Sequence, residues 1–240
     1  MSLFFISDLH LQSSHPEITD RFLQFLAIDA KNAKALYILG DFFETWIGED
    51  GLNPHDQKIM QALANYANHT PTYFMQGNRD FLISAETLKH YGVTLLNDPH
   101  LLEFDGKRIL LMHGDTLCTK DFAYQRFRRF VRHPFITRLF LNLPLFIRKK
   151  IARMLRKNSQ SMHAKPSKDP SLYDATREAI EKVITEYQAD ILIHGHTHQP
   201  QIETMVLDNK SVQRIVLGDW GPRSTILKYS VSGGALIELN

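Results

Sequence analysis

Asp8 and His10 stand two residues apart just after an apolar run, residues 3–6. Side chains two apart on extended chain point to the same side. The spacing therefore predicts a carboxylate and an imidazole facing one point beyond a strand end, where open α/β sheets hold their ligands. Later blocks repeat the plan of an apolar run followed by a turn with oxygen or nitrogen donors. These are Gly40-Asp41, Gly77-Asn78-Arg79-Asp80, His113-Gly114-Asp115 and His194-Gly195-His196-Thr197-His198. Asp, Asn and His without a thiolate suit Mn²⁺, Fe²⁺, Zn²⁺ or Mg²⁺. The donors serve two ions if one carboxylate is shared, and Asp41, with Gly40 before it to allow close backbone approach, is the expected bridge.

Any one of these residues alone is ambiguous. An Asp after a buried strand is as often a turn former or helix cap, and a solitary His is more often structural. Their joint occurrence in order along one chain is what points to a dimetal site. Arg79 adds a fixed positive charge suited to a phosphoryl group. Two ions activate water and stabilise the attacking and leaving oxygens of an in-line displacement, so the expected chemistry is hydrolysis of a phosphate ester or anhydride.

The elements that must position these groups alternate. Apolar runs at 3–6, 36–39 and 72–75 read as buried strands, and the amphipathic patterns opening at Pro16 and Pro54 read as helices. That alternation argues for parallel βαβ units. Residues 101–104 and 108–112, joined by Asp105-Gly106-Lys107, read as a hairpin, 171–188 as a helix, 191–193 as a strand, and 213–239 as short strands with Gly-containing turns.

Composition bounds the rest. With 240 residues and 43% apolar content, the chain can bury one substantial core. We expect a single domain, 1–240, carrying a mostly helical insertion at about 120–168. One cysteine, Cys118, excludes an internal disulfide and favours a reducing compartment. Neither a leader segment nor an uninterrupted spanning run is expected.

The formal net charge of +2 conceals an asymmetry, because residues 120–168 hold 14 Lys/Arg against one acid, Asp121, leaving 14 basic and 25 acidic residues elsewhere. The Arg and Lys alternate with Phe122, Phe127, Phe130, Phe135, Phe140 and Phe146. Basic amphipathic helices of this kind favour anionic membrane surfaces. A plain solvated face is the alternative, and nucleic acid is not expected as a partner because no stacking platform is evident.

The ordered blocks from Asp8 to His198 resemble the calcineurin-like metallophosphoesterases. The resemblance implies a two-layer β-sandwich flanked by helices, an α/β fold, with two ions about 3.5–4 Å apart. It implies one ion on Asp8, His10, Asp41 and His198, and the other on Asp41, Asn78, His113 and His196. Many relatives carry Gly-Asn-His-Asp in the third block, with the His assisting the leaving group, whereas Arg79 stands here. A leaving group acidic enough to need no protonation fits that change.

The blocks at 37–41, 77–82, 113–118 and 143–149 resemble the branch of the family that splits the pyrophosphate of UDP-2,3-diacylglucosamine. That likeness implies UMP and 2,3-diacylglucosamine 1-phosphate as products, two Mn²⁺ as cofactors, and a peripheral position at the cytoplasmic face of an inner membrane, in lipid A synthesis. It also implies catalytic roles for Asp41, Asn78, Arg79 and His113. Substrate contacts would come from Asn78, Arg79, Asp121, Ser159, Lys165, Lys168 and His196, with Ser161 the rival of Ser159. His194 is expected to be structural. The competing readings are a soluble nucleotide or nucleic acid phosphodiesterase on the same centre, and a metal-free interaction scaffold, the weakest since no ligand is missing.

Overall fold

The structure, a computed structural model, describes residues 2–163, 170–221 and 224–239, with the backbone alone described for 158–163 and 170–171. In chain order the elements are β1 (Leu3–Ile6), α1 (Pro16–Ala27), β2 (Ala35–Leu39), α2 (Pro54–Ala67), β3 (Thr72–Met75), α3 (Ala85–His90), β4 (Thr94–Leu96), β5 (His100–Phe104) and β6 (Lys107–Met112). There follow α4 (Phe122–Val131), α5 (Pro134–Leu141), α6 (Leu145–His163), α7 (Arg177–Tyr187), β7 (Ile191–His194), β8 (Gln201–Leu207), β9 (Lys210–Val216), β10 (Ser224–Ser230) and β11 (Gly233–Leu239).

Two sheets form, in the orders β11-β10-β1-β2-β3-β4 and β5-β6-β7-β9-β8. Strand periodicity explains the layering. In β1, Leu3 and Phe5 face the other sheet and, with Tyr37 and Leu39 of the neighbouring β2, pack in one cluster with its Ile109, Leu111, Ile193 and Ile215. Phe4 and Ile6 face the opposite way, onto Phe22 and Phe25 of α1 and Ile59 and Leu63 of α2. Buried on both faces, such strands read as continuous apolar runs rather than alternating ones. On the outer face of the second sheet, Leu110, Met112 and Leu192 pack on Ile180 and Ile184 of α7. The result is the expected α/β sandwich with helices outside it.

Parallel pairing gathers the turns. Strands β1, β2 and β3 run parallel, and so do β6 and β7. Their carboxyl ends therefore emerge at one rim, and a bond from His113 Nδ1 to the Leu39 carbonyl, 2.8 Å, joins the two sheets there.

Two expectations are corrected. The stretch read as one helix from 171 to 188 is a 3-10 turn, Pro170–Tyr173, and then α7. The Asp174 carboxylate takes the Ala175 N–H at 2.7 Å and the Thr176 N–H goes to Leu117 O, so local bonds interrupt the helix. The final strands are also longer than expected, seven residues each, and start at Gln201.

Candidate metal centre

Strand β1 ends at Ile6, and Asp8 and His10 adopt φ of 56° and 51°. They converge through a left-handed turn, not along the extended chain that the spacing suggested. Asp41, His196 and His198 share this backbone region, with φ of 52°, 69° and 55°. Each such residue costs roughly 1–3 kcal/mol and persists only where its surroundings over-determine it. Here the surroundings are backbone bonds: Asp8 N to Gly40 O, His10 N to Asp41 O, and Trp220 N to Asp8 O. The close approach expected at Gly40 is present, since a Cβ there would lie 2.6 Å from the Gly77 Cα and from His113 Nδ1. A Cβ on Gly77 would lie 2.2 Å from Asp41 Oδ1.

One group of donors comprises Asp8, His10 and His198, whose ligand atoms lie within 4.8 Å of one another. His10 Nε2 is 3.4 Å from His198 Nε2, which is 3.3 Å from Asp8 Oδ1. A second group comprises Asp8, Asp41 and His113. Asn78 joins it through Oδ1, 3.0 Å from His113 Nε2, and the His196 ring stands edge-on to His113 at 5.1 Å. Asp8 belongs to both groups. Arg79 Nε lies 3.2 Å from Asp41 Oδ2.

The electrostatics are those of a buried, crowded site. Burial raises the Asp41 carboxyl to about 7, helped by Asp8 and Asp80. Burial also opposes ionisation of Asp8, but its bond to His198 and the neighbouring imidazoles outweigh this and hold it well below the ordinary carboxylate range. Burial disfavours the His113 cation, yet Asp41, Asp115 and Asp8 together push it up to about 9. His196 is lowered to about 4 by burial and by His113. Because His113 donates Nδ1–H to Leu39 O, its Nε2 faces the site, as in ligating imidazoles whose orientation a carbonyl fixes.

These residues fit a pair of divalent cations. The donor set is oxygen and imidazole nitrogen, and Asp8 Oδ1 is buried without a hydrogen-bond partner. An orphaned carboxylate oxygen amid imidazoles is the arrangement a cation completes.

Sequence reasoning missed Glu44. It receives Arg79 Nη1 at 2.5 Å, pairs with Arg156 of α6, and lies 3.8 Å from His10 Nδ1. In this structure Arg79 thus faces two carboxylates, Asp41 and Glu44. No local pattern marks Glu44, since only the fold after Phe42-Phe43 brings it back to the rim. Asp80, in the third block but without an expected role, accepts N–H bonds from Phe42 and Gly77 at 2.7 Å each and ties two ligand turns together.

The other expected contacts fare differently. Asp121 caps α4, accepting the Tyr124 N–H at 3.0 Å. Ser159 and Ser161 lie on the last turns of α6, where the backbone alone is described, and Lys165 and Lys168 lie outside the described residues. His194 is buried, donates Nδ1–H to Gly195 O at 2.8 Å and accepts from Arg214 Nε at 3.1 Å, a structural placement. The basic helices divide their charge: Arg128, Arg132, Arg148 and Arg156 make bonds or ion pairs to the sandwich.

A family model for the calcineurin-like phosphoesterases matches residues 1–200. The UDP-2,3-diacylglucosamine hydrolase of Coxiella burnetii (strain RSA 331 / Henzerling II) is 44% identical over 95% of this chain and 93% of its own. The protein of the same name from Pseudomonas entomophila (strain L48) is 45% identical over 96% of both chains. Among solved structures, a novel archaeal phosphodiesterase aligns over 100% of each chain with a TM-score of 0.53 at 15% identity, a likeness of fold.

Proposed function

The chain belongs to the calcineurin-like phosphoesterase family, and from that premise we propose that it hydrolyses the pyrophosphate bond of UDP-2,3-diacylglucosamine, yielding UMP and 2,3-diacylglucosamine 1-phosphate. The observation that carries the reading is the 44–45% identity to hydrolases of that substrate across nearly the whole chain, residues 120–168 included. The shared substrate places the reaction in lipid A synthesis.

Asp8, His10, Asp41 and His198 would hold one ion, and Asp41, Asn78, His113 and His196 the other, with Mn²⁺ the preferred metal and Asp8 close enough to serve both. Bound divalent ions supply Lewis acidity toward the phosphoryl oxygens and lower the pKa of the attacking water. Asn78, Arg79 and His196 orient the phosphoryl group. Water oxygen bonds to one phosphorus, the bridging P–O bond breaks, and the other phosphate departs as a monoester. A guanidinium offers hydrogen bonds and positive charge, and it is not a general acid. A phosphate monoester leaves as an anion without one, whereas an alkoxide needs an acid. An arginine at this position therefore supports an anhydride over an alkyl ester.

Residues 120–168, of which 164–168 lie outside the described residues, form a lid in this reading. Phe122, Phe130, Phe135 and Phe146 are 60–75% exposed, beside Arg126, Arg129, Arg138, Lys149 and Lys150. Such a surface suits acyl chains and an anionic bilayer face. Among the described residues no helix is long and apolar enough to cross a membrane.

The direct test incubates the chelated, repurified protein with UDP-2,3-diacylglucosamine in mixed micelles, with and without Mn²⁺, and identifies products by mass spectrometry. UMP and the acylated sugar phosphate should appear only with the metal, with no cleavage of DNA or dinucleotides. UDP as product, or equal cleavage of nucleic acid, overturns the proposal. For the lid surface, replacing Phe122, Phe135 and Phe146 by Ser should weaken cosedimentation with anionic vesicles about tenfold and leave turnover of a small soluble phosphodiester unchanged.

A further inference from the structure

Tyr124, Arg128 and Arg132 recur every fourth residue along α4 and its C-cap, so they share one helical face. Between them they touch three candidate ligand turns. The Tyr124 ring stacks on His196 at 6.1 Å between centroids, with 27° between planes. Its hydroxyl donates to Asp115 Oδ2 at 2.7 Å, and Arg128 Nε donates to the same oxygen at 2.6 Å, two residues beyond His113. Arg132 Nη2 donates to the carbonyl of Gly77 at 2.7 Å, the residue before Asn78, and its guanidinium lies 5.4 Å from the Phe81 ring centre. One helix face therefore spans the turns of Asn78, His113 and His196.

The ligands Asp8, His10 and His198 are held otherwise. Backbone bonds from Asp8 to Gly40 O, His10 to Asp41 O, and Trp220 to Asp8 O come from the sandwich alone. None of the bonds described for α4 reaches them. The two ligand sets thus differ in what α4 supports: its bonds reach the turns of Asn78, His113 and His196, whereas the insertion nears the other set only through Arg156 of α6, which pairs with Glu44 beside His10.

We propose that docking of α4 and occupancy of the Asn78–His113–His196 ion site are thermodynamically coupled, with Tyr124, Arg128 and Arg132 as positioning residues, while the Asp8–His10–His198 site fills independently of the helix. The inference rests on the assignment of ligand sets given above. Coupling of this kind is reciprocal: whatever docks the helix tightens the second ion, and the second ion docks the helix. A lid that lifts to admit an acylated substrate would loosen that ion and re-form its site on closing.

The experiment titrates chelated full-length protein with Mn²⁺ by calorimetry and counts bound ions by electron paramagnetic resonance. Wild type should bind two. The double variant Arg128→Met/Arg132→Met should keep the first ion within about twofold and bind the second at least about tenfold more weakly. Hydrogen exchange on the wild type reads the reverse direction, and α4 amides should gain protection with the second equivalent of Mn²⁺ and not the first. Two ions bound by the double variant with wild-type affinities, equal weakening of both in a cooperatively melting variant, or α4 protection indifferent to the second equivalent would each overturn the coupling. Should the double variant not fold, the exchange result on the wild type decides. A wild type that binds fewer than two Mn²⁺ refutes the ligand assignment itself, a separate outcome.

Discussion

At the rim of the sandwich, Asp8, Asp41 and His113 are 0–2% exposed, carry perturbed pKa values and sit on turns whose backbone leaves little choice. On α4 and α5, by contrast, no residue is buried, and large aromatics face outward. Full burial of a Phe or Leu contributes roughly 1.5–3 kcal/mol. The sandwich collects that contribution many times over and can hold strained, charged turns. The insertion cannot, and arginines fasten it instead. Among the described bonds, Arg128 to Asp115 and Arg132 to the Gly77 carbonyl tie α4 to the rim.

The largest expected effect falls on the rim. Asp41→Ala should remove both ions and lower kcat/KM at least about 10³-fold, checked by metal content and turnover of a chelated, repurified sample. Loss of one ion only would make Asp8, which belongs to both donor groups, the sole bridge.

The contrast between the regions also explains what could be read in the sequence. The candidate donors at the rim were legible because each follows a run such as Phe4-Phe5-Ile6 or Leu110-Leu111-Met112, buried on both faces and bounded by a turn. The geometry of those turns was not legible: Asp8 and His10 look like neighbours on extended chain and are left-handed. Glu44 and Arg156 lie more than a hundred residues apart and meet only through the tertiary fold. In the insertion, charge counting could not tell Arg126 and Arg129 from Arg128 and Arg132. Helical phase decides which of them face the rim, and phase depends on where Asp121 starts the helix.

A smaller effect is expected where the insertion is fastened far from α4. The Arg148 guanidinium is almost fully buried, donating from Nε to Leu143 O at 2.8 Å, from Nη1 to Ile47 O at 2.5 Å and to Asp50 Oδ1 at 2.8 Å, and from Nη2 to Asp50 Oδ2. Arg148→Met fills the space but leaves two carbonyls unpaired. We expect kcat/KM for the acylated substrate to fall about 10–100-fold, the loss of one to three charge-assisted bonds. Turnover of a small soluble phosphodiester should stay within about twofold. Equal losses on both substrates would mean that Arg148 supports the rim and not the lid.

The smallest effect lies on the seam between the regions, at Asp98. Its side chain is 9% exposed and 4.0 Å from Arg128, and both carboxylate oxygens lack a hydrogen-bond partner. Burial raises it from 3.8 to about 6, and Asp115 adds to the rise, against the pull of His113, Arg128 and Arg132. With a folded-state value above the unfolded one, the folded chain binds the extra proton between about pH 4 and 6. Stability from this group is therefore present below that window, falls as pH rises through it, and is fully lost above about 6. The shift corresponds to a cost on the order of 1–3 kcal/mol at neutral pH. Asp98→Asn removes the ionisation, so at pH 7.5 the chelated variant should melt a few degrees higher than wild type. Below about pH 4, where both carry a neutral side chain, the two should converge. A variant that melts lower at pH 7.5, or a difference that does not change between pH 4 and 7, would mean that Asp98 is held ionised by Arg128, and that the seam is fastened by an ion pair like those at Arg148 and Arg156.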